Sequence, residues 1–239
     1  EKGDKVIFCD NNQEQGEKTE KEFLACGFDI QFMYMDLSSV AQCIKMMIEI
    51  EKKHERIDVL INNARYSRKI DLLEEDEINW GNTIDVSLKS SFFLSQTAVK
   101  IMKKQGKGVI LNIASVSGSF IGAESASYHI AKAGMIQMTR YFAVHAGKFG
   151  IRTNAIAPGF IIQDEHIEKY LSPNNMRYRE IGEECQPLGI SGRADNVVKA
   201  VLYLSSDDAS FVNGEVLYVD GGLTIQDPAY IAFKFVGKN

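Results

Sequence analysis

The chain has 239 residues, and its 27 lysines and arginines against 32 aspartates and glutamates give a formal charge of −5. An apolar fraction of 45% and a charged fraction of 25% are ordinary for a globular protein that buries a core without disulfides or metals. The acidic balance gives no basic surface for nucleic acid, and the polar opening residues and short apolar runs argue against secretion or membrane insertion. The histidines are scattered and no C-x-x-C pair occurs, so we expect a cytoplasmic protein with no metal site and with reduced thiols at Cys9, Cys26, Cys43 and Cys185.

Short apolar runs recur along the chain and alternate with segments of helical spacing. The runs predict strands at 5–10, 30–36, 57–64, 108–115, 152–158 and 215–222. The spacing between them predicts helices at 13–26, 40–54, 75–104, 126–148 and 194–206. Several strands are apolar at successive positions, as expected when helices cover both faces of a parallel sheet. With no internal repeat or linker, we expect one α/β domain over 1–239, a doubly wound parallel sheet with helices on both faces.

The segment 160–193 differs in composition from the predicted core elements. It follows a strand directly and mixes aromatic, charged and turn residues, which is typical of a lid over a pocket. Ligands of a parallel sheet bind at the carboxyl ends of the strands, so this position suits a substrate lid. Residues 223–239 form a C-terminal tail, whose apolar stretch 229–236 would be poorly accommodated by water.

The strongest chemical signal is Tyr128 followed four residues later by Lys132, with Ser115 at the end of the predicted strand 108–115. Positions i and i+4 share a helix face, so the Lys132 ammonium can lie beneath the Tyr128 phenol. A cation there stabilises phenolate over phenol, as a general acid and base working near neutral pH requires. Ser115 can hydrogen-bond the substrate oxygen. A tyrosine–lysine pair alone is readily a coincidence on a helix surface, but the added Ser115 favours the catalytic interpretation.

Around this set the sequence resembles the short-chain dehydrogenase/reductase family over nearly its whole length. The matching pieces stand in the family's order: Asp10, Met35-Asp36-Leu37 and Asn62-Asn63-Ala64 after successive strands, then Ser115, Tyr128 with Lys132, Pro158-Gly159-Phe160-Ile161 and Val219-Asp220-Gly221-Gly222. The resemblance implies a Rossmann-type fold and hydride transfer between a nicotinamide cofactor and a small-molecule alcohol or carbonyl. It also implies a homodimer or homotetramer.

The resemblance assigns roles residue by residue. Tyr128 is the proton donor or acceptor, Ser115 orients the substrate oxygen, and Lys132 holds the nicotinamide ribose as well as tuning Tyr128. Asp10 ends the family's second strand, where a carboxylate accepts from a ribose 2′-OH and repels a 2′-phosphate; this favours NAD over NADP, with a strand-end cap as the alternative role. The other implied cofactor residues are Asp36 and Leu37 on the adenine side, Asn63 and Ala64 in the adenosine-facing turn, and Pro158, Gly159 and Ile161 beside the nicotinamide.

One departure from the family is a missing motif. The glycine-rich turn TGxxxGxG, which places a pyrophosphate at a helix N-terminus, does not occur in the sequence. Residues 1–4 resemble the end of the helix that follows this turn, so we expect roughly 20 to 30 further residues ahead of Glu1, enough for one strand and one helix. Without that central strand the sheet is expected to split and to expose two apolar edges.

Three single residues also depart from the pattern. Ser87 stands where the family commonly has an asparagine that relays protons through water to the lysine, so we expect Ser87 to serve a rearranged or slower relay. Arg65 replaces the glycine of Asn-Asn-Ala-Gly, and its guanidinium either pairs with a substrate carboxylate or phosphate or stays solvated. A threonine that contacts the carboxamide is missing, and Gln163 is the candidate replacement.

The sequence therefore predicts an NAD(H)-dependent oxidoreductase that interconverts an alcohol and a ketone or aldehyde. The alternative is a non-catalytic relative that has lost efficient cofactor binding, suggested by the missing glycine turn, Ser87 and Arg65. The intact set of Ser115, Tyr128 and Lys132 argues against it, and a serine hydrolase is disfavoured because no G-x-S-x-G surrounds Ser115. A polar or anionic substrate is compatible with four residues of the predicted lid: Tyr170, Arg177, Tyr178 and Arg179.

Overall fold

The computed structural model of the chain describes residues 3–236. Glu1 and Lys2, predicted to end a preceding helix, and the last three residues of the predicted tail lie outside this range. The strands of the described chain are β1 Val6–Asp10, β2 Ile30–Tyr34, β3 Val59–Asn62, β4 Gly108–Ile113, β5 Ile151–Pro158, β6 Ile161–Ile162, β7 Gly192–Arg193 and β8 Val216–Val219. Its α-helices are α1 Gln13–Ala25, α2 Val40–His54, α3 Glu77–Ile84, α4 Ser90–Gln105, α5 Ala126–Ala146, α6 Ile167–Leu171, α7 Met176–Glu184, α8 Ala194–Ser205 and α9 Pro228–Phe233.

The strands pair in parallel, which confirms the predicted class of fold. The larger sheet has the order β3-β4-β5-β8, and β1 pairs with β2 in a separate two-stranded sheet. Within the described range no ladder joins β1 to β3, so the two sheets are separate. Parallel pairing brings the carboxyl ends of these strands to one edge, where Asp10, Asn62 and Ile113 end β1, β3 and β4.

Side chains of β4 alternate between two cores, as strand geometry requires. Ile110 packs with Met47 and Met102 of α2 and α4. Val109 and Leu111 point to the opposite face and pack with residues of α8, including Leu204. Helices therefore cover both faces of the sheet, and β4 is buried on each side, which explains why its sequence is apolar at successive positions.

The helix predicted at 75–104 is interrupted. It consists of α3 and α4 joined by a π-helical turn over Asp85–Lys89, in which the Ser90 N–H donates to the Asp85 carbonyl. The wider turn is stabilised by hydroxyl groups, because Ser90 Oγ donates to the Val86 carbonyl at 2.6 Å and Ser91 Oγ donates to the Ser87 carbonyl at 3.4 Å. Helical spacing of apolar residues continues through the turn, so the periodicity did not reveal it.

The predicted lid and tail contact each other. The lid contains β6, α6, α7 and β7. Two side chains of the tail donate hydrogen bonds to backbone carbonyls of the lid. Gln226 Nε2 donates to the Cys185 carbonyl at 2.7 Å, and Lys234 Nζ donates to the Glu184 carbonyl at 3.0 Å. Within the part of the chain that is described, no helix combines the length and apolar character needed to cross a membrane.

Candidate active site

The carboxyl ends of the strands open on a cleft of about 1330 Å³ that the lid partly covers. Apart from Ser87, the predicted site residues line this cleft, which brings together Asp10, Asp36, Leu37, Asn63, Ala64, Ser115, Tyr128, Lys132, Pro158, Gly159 and Ile161. Gln163 also lines it. Of the lid residues singled out from the sequence, Tyr170 and Tyr178 line the cleft, whereas Arg177 and Arg179 do not.

Tyr128 and Lys132 lie on the first turns of α5. The helix begins where it does because the Ser125 side chain accepts from the Tyr128 N–H at 3.3 Å, a standard N-terminal cap. One turn later, Lys132 Nζ lies 5.7 Å from the centre of the Tyr128 ring. The side chain of Lys132 is 1% exposed, and Nζ donates to the Ile113 carbonyl at the end of β4 at 2.6 Å.

Burial governs the charge of Lys132. Removal from water disfavours the ammonium and lowers its pKa from 10.5 to about 8, and the positive charge of Arg65 acts in the same direction. Lys132 therefore remains mostly protonated at neutral pH. The cation required beside the Tyr128 phenol is present under those conditions.

Ser115 lies two residues after the end of β4 and caps a short 3₁₀ turn. Its Oγ accepts from the Ser117 N–H at 3.1 Å, which leaves the hydroxyl proton available to a substrate oxygen. The turn ends at Gly118, where a Cβ would lie 2.8 Å from the Lys132 carbonyl. Glycine is therefore needed for the turn to pack against α5, and this close approach holds Ser115 near Lys132. The sequence analysis did not identify Gly118, since a glycine in a loop has no local signature of such a contact.

A carboxylate fixes the start of α5. Glu75 accepts from the Ser127 N–H and the Ser127 hydroxyl at 3.3 and 3.2 Å, and it also accepts from the amide of the buried Asn79. A negative charge at a helix N-terminus is stabilising. Because Glu75 lies far from α5 in sequence, the sequence analysis missed this contact.

His129 secures the loop that precedes α5. Its Nε2 accepts from the Gly122 N–H at 2.9 Å, so the ring proton resides on Nδ1, which faces the Ser125 carbonyl at 2.9 Å. The ring is buried, 8% exposed, and lies beside Tyr128. His129 had no predicted role, and its ring joins Gly122 to Ser125 within the loop before α5.

The other end of the cleft is acidic. Asp10 Oδ1 accepts from the Asn12 N–H at 2.8 Å, so the residue does cap its strand, yet the carboxylate stays exposed at the cleft. Asp36 accepts from the Ser38 N–H at 2.9 Å, and this hydrogen bond holds the pKa of Asp36 below its usual range. Among the described residues that line the cleft on β1, β2 and the turns after them, none is a lysine or arginine. Carboxylates accept hydrogen bonds from hydroxyl groups. The two carboxylates at this end of the cleft therefore fit the diol of a ribose.

Gly159 shapes the nicotinamide side that the resemblance implies. Its N–H donates to the Val219 carbonyl at 3.0 Å, and a Cβ here would lie 2.7 Å from the Asp220 side chain. A larger residue would clash with Asp220, so glycine is needed for the loop after β5 to pack against the end of β8.

Ser87 lies outside the cleft lining. Its side chain is fully buried in the π-helical turn, and its Oγ accepts from the Tyr66 N–H at 3.0 Å. The hydroxyl therefore holds the backbone next to Arg65 rather than facing the cleft.

A family model described as Enoyl-(Acyl carrier protein) reductase matches residues 1–224. The chain is 32% identical over 233 residues to a 7alpha-hydroxysteroid dehydrogenase of Bacteroides fragilis, covering 95% of this chain and 87% of the relative. It is 34% identical over 225 residues to the 3-oxoacyl-[acyl-carrier-protein] reductase FabG of Thermotoga maritima, covering 94% and 89%.

The chain is also similar to solved structures of dehydrogenases. A gluconate 5-dehydrogenase from Burkholderia cenocepacia, in complex with NADP and tartrate, superposes with a TM-score of 0.83 at 27% identity over 92% of this chain and 86% of that one. The chain belongs to the short-chain dehydrogenase/reductase family and is an NAD(P)-dependent oxidoreductase acting on CH–OH or carbonyl groups. The predictions of family and enzyme class are confirmed.

Proposed function

We propose that this enzyme interconverts an alcohol and a ketone or aldehyde with NAD(H), using Ser115, Tyr128 and Lys132 as its catalytic set. The observation that carries the proposal is the cleft itself, in which the Tyr128 phenol lies above a buried lysine and Ser115 lines the same space. The non-catalytic alternative is disfavoured, because the curated relatives described above are oxidoreductases.

Each residue of the set has a distinct task. In reduction, Tyr128 gives its hydroxyl proton to the oxygen of the carbonyl, and in oxidation it takes the proton of the alcohol. Ser115 donates a hydrogen bond to the same oxygen, which stabilises negative charge as it develops there. The Lys132 ammonium stabilises the phenolate that Tyr128 becomes after giving up its proton. When bound, the nicotinamide supplies or accepts the hydride.

The preference for NAD over NADP rests on Asp10. Its exposed carboxylate accepts hydrogen bonds from ribose hydroxyls, whereas a 2′-phosphate in its place would meet like charge. We assign the remaining cofactor contacts to the other cleft residues predicted from the sequence: Asp36, Leu37, Asn63, Ala64, Pro158, Gly159 and Ile161. Ser87 acts as a positioning residue through the Tyr66 backbone.

We further propose a single domain over 1–239, with a lid at 160–193 and a tail at 223–239, that works in the cytoplasm as a homodimer or homotetramer. Exposed apolar side chains on α5 support self-association, since Tyr141 and Val144 are 56% and 75% exposed. The described cysteines are free thiols, and a reducing compartment would keep them so. Light scattering tests the assembly, and a monomer would contradict it.

The catalytic assignment is tested with Tyr128→Phe and a matched control, Tyr203→Phe, an exposed tyrosine of α8 that does not line the cleft. Turnover is measured on a panel of alcohols with NAD, and cofactor binding by NADH fluorescence. We expect Tyr128→Phe to lower kcat by roughly 10²- to 10⁴-fold with NADH affinity retained, and Tyr203→Phe to behave as wild type. Equal activity of the two variants would refute the role of Tyr128.

A further inference from the structure

We propose that the substrate of this enzyme carries a carboxylate or phosphate group and that Arg65 binds it. The inference rests on the proposed oxidoreductase function, because it assigns the substrate class of the same cleft. Arg65 follows β3 and lines the cleft together with Ser115 and Tyr128.

The first argument is the distribution of charge along the cleft. Its acidic residues, Asp10 and Asp36, follow β1 and β2. The cationic residues lie at the other end: Arg65 and Lys69 after β3, Lys132 on α5 and Lys169 in the lid. A cleft lined by charge of one sign attracts ligands of the opposite sign, and here that field surrounds the position of the reacting oxygen.

The second argument is the lack of an internal partner for Arg65. Over residues 3–236, no hydrogen bond or salt bridge joins its guanidinium to a carboxylate. The nearby Glu124 accepts instead from Ser67 Oγ at 2.9 Å and lies 3.9 Å from Lys69 Nζ. The five N–H groups of Arg65 therefore remain available, in the planar arrangement that matches a carboxylate or phosphate.

The third argument is that the backbone carrying Arg65 is held in place. The neighbouring Tyr66 N–H donates to Ser87 Oγ at 3.0 Å, and Ser87 is fully buried. Two residues on, Ser67 is tied to Glu124 of the loop before α5. A solvated surface arginine needs no such support, whereas a residue that orients a substrate does, because ordering the chain beforehand lowers the cost of binding.

Arg65 also acts unfavourably on Lys132 when the cleft holds no anion. The two positive charges repel each other, and this repulsion contributes to the lowered pKa of Lys132. An anionic group bound to Arg65 would screen that repulsion. Substrate binding and the charge of the catalytic lysine would then support each other.

The test compares Arg65→Gln with Arg68→Gln in the full-length protein. Arg68 makes a matched control, because it is an exposed arginine three residues away that does not line the cleft and its replacement changes the net charge equally. The value of kcat/KM is measured with NAD on pairs of an anionic substrate and its neutral counterpart. The pairs are lactate, malate and 3-hydroxybutyrate with their methyl esters, and glycerol 3-phosphate with glycerol. Calorimetry with malonate, inorganic phosphate and the neutral malonamide measures binding without turnover.

We expect the anionic substrates to be preferred, and Arg65→Gln to lower their kcat/KM by roughly 10- to 100-fold, as for loss of a hydrogen bond to a charged group. The neutral counterparts and Arg68→Gln should be unaffected, and malonate binding should be lost only in Arg65→Gln. Preference for carboxylate or for phosphate substrates identifies which anion is used.

Several outcomes would overturn the inference. Turnover of neutral alcohols at least as well as their anionic counterparts would refute it and leave the oxidoreductase function intact. An increase in the KM for NAD alone in Arg65→Gln would assign Arg65 to the cofactor instead. Absence of malonate and phosphate binding to the wild type would also refute it.

Malonate binding that depends on Arg65, with no NADH binding and no turnover, would instead uphold the anion site and refute the proposed function.

Discussion

Replacing Lys132 with methionine is expected to abolish turnover while leaving the protein about as stable as wild type at neutral pH. Burial lowers the pKa of Lys132 from 10.5 to about 8, a difference that corresponds to about 3 kcal/mol of unfavourable free energy for the buried ammonium. Methionine has similar length and no charge, so it removes this cost. It also leaves the Ile113 carbonyl without its donor, which costs about 1 to 3 kcal/mol. The gain and the loss nearly cancel.

The dependence on pH gives the sharper test. Between about pH 8 and pH 10.5 the unfolded chain holds a proton on Lys132 that the folded chain has lost, so the contribution of Lys132 to wild-type stability rises with pH across this window. Below pH 8 both states are protonated and the cost is fully present. Relative to Lys132→Met, the wild type should therefore gain up to about 3 kcal/mol as the pH passes through the window.

Urea unfolding at several pH values measures this difference, because other titrating groups are common to both proteins and cancel. Lys100→Met is the control: Lys100 is an exposed lysine of α4 and remains in water when the chain folds. Its curve should run parallel to that of the wild type. A difference between wild type and Lys132→Met that is constant from pH 7 to pH 11 would refute the reasoning, as would destabilisation of Lys132→Met by more than about 3 kcal/mol at pH 7.

Three further changes test other parts of the cleft and fold. Asp10→Asn should lower the KM for NADP relative to that for NAD by roughly tenfold, measured with one alcohol; an unchanged ratio would contradict the role of Asp10. Gly150→Ala should lower the free energy of unfolding by about 3 kcal/mol or more, because φ is +74° and the new Cβ would lie 2.1 Å from a backbone carbonyl oxygen; Gly27→Ala, at φ +84° with open space, should cost about 1 kcal/mol, and equal urea midpoints would contradict this account. His129→Leu should lower kcat more than NADH affinity, because the Gly122 N–H loses its acceptor, and His129→Gln should restore activity by replacing that acceptor.

The sequence predicted the sheet and most of the cleft because both follow from local patterns. Buried parallel strands are apolar at successive positions, and their carboxyl ends meet at one edge, so residues that follow different strands were expected to converge. The structure places Asp10, Asn63 and Ser115 around one cleft accordingly. Their catalytic and cofactor roles stay predictions, which the variants above test.

The contacts missed from the sequence join segments that are distant in the chain. Glu75 fixes the start of α5 from fifty residues away, and Gly118 matters only because the Lys132 carbonyl approaches it. Ser87 was assigned to a proton relay by its place in a motif, whereas its hydroxyl direction depends on the π-helical turn. The spacing of apolar residues predicts which face of a helix is buried. It does not predict which polar group of another segment contacts that helix.

The features of this chain that cost stability gather at the carboxyl ends of β3 and β4. Lys132 is a cation removed from water, the turn at Asp85–Lys89 departs from α-helical geometry, and Arg65 repels the buried lysine. Stable packing alone gives no reason for any of them, since a methionine, an unbroken helix and a glycine would each avoid the cost. Lys132 and Arg65 line the same cleft as Tyr128, which favours a chemical explanation. In the mechanism we propose, one cation serves the phenol, and the other, held through the π-helical turn, binds the anion of the substrate.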